Sequence, residues 1–147
     1  MSHRGCSTPM VEYVGPNRFQ YSDERLELVN RYVRLFPERL RRDPLTGKCL
    51  WRRQRQDPED VRREDPTQAA RSEEVLPIAR RRFQTEAEYP AGGGLLNLLL
   101  FGVVANFRQG DPGDDGFLQF LCEAEDRLTR SGDIEPDFSV FVGRRNT

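Results

Sequence analysis

One uncharged stretch, residues 89–107, holds a large share of the apolar side chains in this 147-residue sequence. After Pro90 and three glycines, residues 95–107 are apolar apart from Asn97 and Asn106. A helix without a polar face is either buried in protein or surrounded by lipid. Thirteen helical residues reach only about 20 Å, and the hydrocarbon layer of a membrane is about 30 Å thick. The run therefore predicts a buried central helix, and a helix docked on a partner or a membrane segment are the alternatives.

Helical signals on both sides of this run predict a mainly α fold. Ser22 is a good N-cap, and the residues after it place apolar side chains at helical spacing as far as Phe36. The last helix covers residues 115–131, with apolar residues at i, i+4, i+7 and i+11 before the capping Gly132. Further helical segments are expected at 38–42, 57–64, 65–75 and 77–88. The sequence thus predicts a compact helical domain around a central apolar helix at about 95–107.

The two ends of the chain differ from this helical body. Residues 1–21 contain glycines and prolines and are predicted to form an irregular arm, with a short strand at 10–14. Residues 134–142 end in Phe-Ser-Val-Phe-Val, a second strand candidate that could pair with the first as a two-stranded β element. Residues 22–147 are then expected to form a single helical domain. Its Arg-rich segment at 43–74 has few core-like residues from position 52 onwards and is expected to be an exposed helical span or a mobile linker.

Positive charge is carried almost entirely by arginine and is concentrated in the middle of the chain. The chain has 22 Arg and one Lys, Lys48. Residues 31–82 hold 14 of those Arg and Lys48 against nine acids, whereas residues 83–147 hold five Arg against eleven acids. This division favours an anionic partner for the middle of the chain, or pairing of the two parts within the fold. The preference for Arg indicates forked contacts to anions, or only a genome that encodes Arg readily.

Cysteine usage points to a reducing compartment. Cys6, Cys49 and Cys122 are odd in number and widely spaced, and they form no Cys-x-x-Cys pair, so a disulfide framework is not expected. Residues 1–15 lack the apolar region of a secretory signal. We therefore expect an intracellular protein of the cytoplasm or nucleus.

The sequence lacks the arrangements of residues that mark several common catalytic sites. His3 is the sole histidine and lies in the predicted arm, so a nucleophile with a held histidine base is not expected. The chain has neither a P-loop nor a dinucleotide-binding glycine fingerprint. The three glycines at 92–94 are expected to be a flexible connector. The sequence therefore predicts no catalytic residues and no cofactor.

An Asp- and Gly-rich loop at 110–116 resembles a calcium-binding loop in composition only. With Asp111 in the first position, Gly113 stands third and Cys122 stands twelfth, where calcium loops need oxygen ligands. We therefore expect the loop to cap the last helix rather than to bind a metal. A metal-assisted activity through Asp111, Asp114 and Asp115 is the remaining enzymatic alternative.

The strongest candidate for a binding site is the cluster of arginines around Trp51. One aromatic ring with several guanidinium groups offers a stacking surface and phosphate-binding donors. The alternative is that these arginines pair with acids on solvated helices. The predicted site residues are Arg41, Arg42, Trp51, Arg52, Arg53, Arg55, Arg80, Arg81 and Arg82.

These observations favour a non-enzymatic interaction protein, such as an adaptor, inhibitor or accessory subunit, that docks on another macromolecule. Aromatic residues and arginine are the types that dominate binding energy at interfaces. The expected partner is another protein, which includes a second copy of the chain, and no membrane is expected. The alternative function is a nucleic-acid-binding regulator that uses the Arg-rich middle segment. An enzyme ranks third.

Overall fold

The computed structural model describes residues 7–145, which divide into two compact units. Residues 7–20, 56–92 and 136–145 form one unit, here called the sheet unit. Residues 21–55 and 93–135 form the other, here called the helical unit. In chain order the regular elements are β1 (Ser7–Tyr13), α1 (Asp23–Val33), α2 (Glu38–Arg41), α3 (Pro58–Glu64), α4 (Val75–Arg82), β2 (Phe83–Pro90), α5 (Leu96–Leu100), α6 (Pro112–Ser131) and β3 (Phe138–Arg145).

The sheet unit is built on three antiparallel strands in the order β1-β3-β2. Val140 in the central strand lies opposite Val11 of β1 and Tyr89 of β2. The terminal segments do pair, but within a larger sheet, so the predicted mainly α fold with a two-stranded element is wrong. Residues 83–88 were expected to continue a helix because Ala79, Phe83 and Ala87 fall at helical spacing. The ladder of hydrogen bonds to β3, together with Thr85 and Tyr89, which favour strands, overrides that local preference.

The helices of the sheet unit follow the predicted signals only in part. Asp57 caps α3 by accepting a hydrogen bond from the Glu59 N–H at 2.8 Å, which confirms the predicted start. The expected helix at 65–75 is absent from the described chain, and turns followed by a 3-10 turn at Ser72–Glu74 replace it. Arg18 explains part of this difference, because its guanidinium binds the carbonyl oxygens of three residues there. Those residues are Asp65, Pro66 and Gln68.

The caps of the helical unit agree with the sequence. The Ser22 side chain accepts a hydrogen bond from the Arg25 N–H at 3.1 Å, so α1 begins where predicted. Gly132 ends α6 in the left-handed conformation with φ of 81°, which glycine adopts without strain. The longest helix among residues 7–145 is the amphipathic α6, and none of the helices in this range has both the length and the hydropathy of a membrane-spanning segment.

The apolar run at 95–107 lies in the core but is not one helix. It consists of α5 and a 3-10 turn at Val104–Asn106, with Gly102 between them at φ of 74°. This break turns Phe101 and Val104 to the surface, where they are 69% and 56% exposed. The predicted central helix is therefore wrong in form. The buried cluster of the helical unit consists of Val29, Val33, Phe36, Leu40, Leu95, Leu99, Val103, Leu121, Ala124 and Ile134.

Candidate binding groove

An open groove of about 720 Å³ lies in the helical unit along one side of α1. Helix α1 buries Leu26 and Val29 on its inner side, and polar residues at helical spacing lie beside them. The second wall is the segment 51–55, which has no regular secondary structure. The groove is lined by Asp23, Leu26, Glu27, Asn30, Arg34, Trp51, Arg52, Arg53, Gln54 and Arg55.

Side-chain hydrogen bonds fix the segment 51–55 against the rest of the helical unit. The Asn30 amide donates to the Arg53 carbonyl oxygen at 2.9 Å, and its oxygen accepts from the Arg53 N–H at 2.6 Å. The Arg55 guanidinium donates to the Tyr21 carbonyl oxygen at 2.9 Å and pairs with Asp23. The wall is therefore held in place before any ligand binds, although it belongs to no helix or strand.

The Arg53 side chain has a structural part in the groove. Its guanidinium donates to the carbonyl oxygens of Leu99 at 3.1 Å and Phe101 at 2.6 Å, at the end of α5. Burial lowers the pKa of this guanidinium, which nonetheless stays protonated because arginine does not lose its proton in proteins. Arg53 thus satisfies the last carbonyl groups of a short helix and adds positive charge beneath the groove.

Trp51 is the main aromatic feature of the groove and is 67% exposed. The Arg41 guanidinium carbon lies 4.7 Å from the centre of the ring, a cation–π geometry. Trp51 lines the groove and Arg41 does not, so Arg41 covers the ring from outside the groove. A ligand in the groove therefore meets an indole ring that is already supported from another side.

Two arginines of the groove carry charges that the described residues do not neutralise. The side chains of Arg34 and Arg52 are exposed, and neither guanidinium group has an ion pair or hydrogen bond with any residue between 7 and 145. Arg42, by contrast, pairs with Glu38 and donates to the Gly47 carbonyl oxygen at 2.9 Å. Arg34 was missed from the sequence because it lies in helix α1, outside the Arg-rich cluster. Its helical spacing from Glu27 and Asn30 was the available signal.

The sequence-predicted site residues are divided between the two units. Trp51, Arg52, Arg53 and Arg55 meet in the groove, and Arg41 lies behind Trp51. The last three predicted arginines end α4 in the sheet unit, where Arg80 pairs with Glu88 at 2.6 Å. Arg81 and Arg82 are exposed there.

Asp111 has the capping role expected from the acidic loop, but α6 already begins at Pro112, so the predicted loop at 110–116 is mostly helical and the predicted helix start near 115 is wrong. Asp111 accepts hydrogen bonds from the N–H groups of Gly113 at 3.0 Å and Asp114 at 3.1 Å. Asp114 pairs with Arg39 and accepts from the Arg108 N–H at 2.8 Å, and these bonds lower the pKa of its carboxyl group. No group of three or more His, Cys, Asp or Glu residues within 7–145 could hold a metal ion.

Comparisons with models of known protein families, with curated proteins and with solved structures found no match to this chain.

Proposed function

We propose that this chain is a non-enzymatic interaction protein that docks on another macromolecule through the groove around Trp51. The observation that carries the proposal is that a large aromatic side chain stays 67% exposed although its backbone segment is fixed. Tryptophan and arginine are the residue types most enriched among those that dominate binding energy. Trp51 lines the groove together with Arg34 and Arg52, whose guanidinium groups have no ion pair within the described residues.

The fixed backbone of the segment 51–55 supports this proposal on energetic grounds. A binding surface that must be ordered on contact loses free energy in proportion to the freedom it gives up. Here Asn30 and Asp23 already hold the segment, through Arg53 and Arg55 respectively. Only the exposed side chains remain to be ordered by a partner.

The test is affinity purification of the tagged chain from cells of the organism whose genome encodes it. Three forms are compared: the wild type, Trp51→Ala, and Tyr89→Ala as a control that removes an exposed aromatic ring from β2. We expect a protein or nucleic acid that is retained by the wild type and the control and lost with Trp51→Ala. Light scattering on the same samples identifies a second copy of the chain as the partner. Identical retention by all three folded forms would contradict the proposal.

A further inference from the structure

We infer that the partner of the groove is a single-stranded nucleic acid, with a base stacked on Trp51 and phosphates bound by Arg34 and Arg52. This inference rests on the proposed function, because it names the partner of the same groove. Three features of the groove lead to it, namely the supported indole ring, the two unpaired guanidinium groups and an exposed carboxylate.

The indole ring of Trp51 suits a flat, unpaired base. Stacking on aromatic side chains is the main sequence-tolerant contact of proteins that bind single strands, because every base has an aromatic face. The Arg41 guanidinium already packs against the ring at 4.7 Å, which fixes the ring and adds positive charge next to it. In a duplex the base faces are covered by neighbouring base pairs, so a double strand could not use this ring.

Arg34 and Arg52 suit the phosphates on either side of such a base. A guanidinium group binds phosphate through paired N–H donors, and a carboxylate partner would compete for those donors. Arg55 has such a partner in Asp23, and the terminal amino nitrogen of Arg53 donates to backbone carbonyls. The donors of Arg34 and Arg52 are not engaged by any residue of the described chain.

Glu27 distinguishes a nucleic acid from an acidic peptide. Its carboxylate is exposed in the groove and is not hydrogen-bonded to another described residue. Neither a phosphate nor an acidic side chain can donate a hydrogen bond to this carboxylate at neutral pH, but a nucleic acid also brings bases that can. Adenine, cytosine and guanine carry amino groups that can donate to Glu27, whereas thymine carries none. The groove therefore favours a base with an amino group over thymine on the Trp51 ring.

The chain supplies its own probe, because Trp51 is its sole tryptophan. Fluorescence of Trp51 is followed while single-stranded eight-nucleotide deoxyadenylate, deoxycytidylate or thymidylate is added. We expect saturable quenching, with thymidylate binding about threefold or more weakly than the other two. Two phosphate contacts predict that the affinity falls about sevenfold when salt is raised from about 50 to 200 mM.

Variants of the groove residues test which side chains contact the phosphates and which contacts the base. The double variant Arg34→Ala/Arg52→Ala should bind about tenfold or more weakly and lose most of the salt dependence. The matched control is Arg31→Ala/Arg81→Ala, which removes the same charge from exposed positions outside the groove. Trp51→Ala, measured by the anisotropy of a labelled strand, should also lose about tenfold or more in affinity. Equal effects of the two double variants would overturn the assignment of the phosphate contacts.

Two further ligands test the inference on the wild-type protein. An oligonucleotide of abasic sites keeps the phosphates and should not quench Trp51, and a polyglutamate peptide should bind weakly. Quenching by either one as strong as by deoxyadenylate would overturn the inference. If no oligonucleotide binds while the Trp51-dependent partner is still captured from cells, the inference fails and the proposed function stands. If that capture is also absent, both fail.

Discussion

Arg41 and Trp51 are ten positions apart in the sequence, yet the Arg41 guanidinium carbon lies 4.7 Å from the centre of the Trp51 ring. The turn between them brings this about. The Asp43 N–H donates to the Lys48 carbonyl oxygen at 2.8 Å, and the Leu50 N–H donates to the Arg41 carbonyl oxygen at 2.8 Å. The chain therefore doubles back, and the residue that ends α2 covers the residue that begins the second wall of the groove.

Removing this guanidinium should increase the access of solvent to the Trp51 ring. We expect Arg41→Ala to shift the tryptophan emission to longer wavelength, to raise its quenching by acrylamide, and to lower the free energy of unfolding by about 0.5–1 kcal/mol. Arg42→Ala is the control, because Arg42 pairs with Glu38 and not with the ring. If the emission of Arg41→Ala matched that of the control, the contact would have no part in covering Trp51.

Leu99 should be among the residues that contribute most to the stability of the helical unit. It is completely buried within the cluster around α5, whereas Leu45, at the tip of the turn before Trp51, is 94% exposed. We expect Leu99→Ala to lower the free energy of unfolding by about 3 kcal/mol, because it removes buried methyl groups and leaves a cavity. Leu45→Ala should change it by less than about 0.5 kcal/mol. Urea unfolding of both variants measures the difference, and similar midpoints would contradict this core.

The buried carboxylate of Glu125 should stabilise the start of α5. It accepts hydrogen bonds from the N–H groups of Gly93 at 2.8 Å, Leu95 at 2.9 Å and Leu96 at 2.8 Å. Glu125→Ala leaves these groups without partners inside the protein, so we expect a loss of about 3 kcal/mol in the free energy of unfolding. Glu123→Ala removes an exposed carboxylate two positions away and should cost less than about 0.5 kcal/mol. Equal thermal stability of the two variants would argue against this role.

The ion pair between Arg39 and Asp114 should make the helical unit sensitive to acid. The hydrogen bond from Arg39 holds the pKa of Asp114 below the ordinary value of 3.8. Because the folded pKa is the lower one, the stabilisation is complete above the ordinary value and is lost as pH falls through the folded pKa. We expect Asp114→Asn to melt at a lower temperature near pH 7 and to lose less stability than the wild type between about pH 4 and 2.

The control for this prediction is Asp115→Asn, which changes an exposed carboxylate one residue further along α6. Its free energy of unfolding at pH 7 should stay within about 0.5 kcal/mol of the wild type. Parallel stability profiles for the wild type and Asp114→Asn from neutral to acid pH would show that the pair contributes nothing to the acid sensitivity.

Local signals in the sequence located three helix ends, and contacts between distant residues decided much of the rest. Ser22, Asp57 and Gly132 act on backbone groups a few residues away, so their capping roles could be read directly. Strand β2 could not be read in this way, because β3, which pairs with it, lies about 50 residues further along the chain. Local preference in residues 83–88 favoured the wrong structure.

The residues of the binding groove could likewise be predicted only where they are close together in the sequence. Composition identified Trp51 and Arg52, which are close in sequence. Arg34 joins them because the Asn30 side chain binds the backbone of Arg53 and so places one segment along the other. A hydrogen bond between residues 23 positions apart leaves no periodic pattern in the sequence.

The most direct test of docking at the groove is site-specific photo-cross-linking in the cells that encode the protein. A photoreactive amino acid replaces Gln54, which is exposed in the groove, or Gln84, which is exposed on β2. We expect a discrete cross-linked product from position 54 that is absent from position 84 and disappears when Trp51→Ala is added. The same products from both positions, or a product at position 54 that persists with Trp51→Ala, would contradict it.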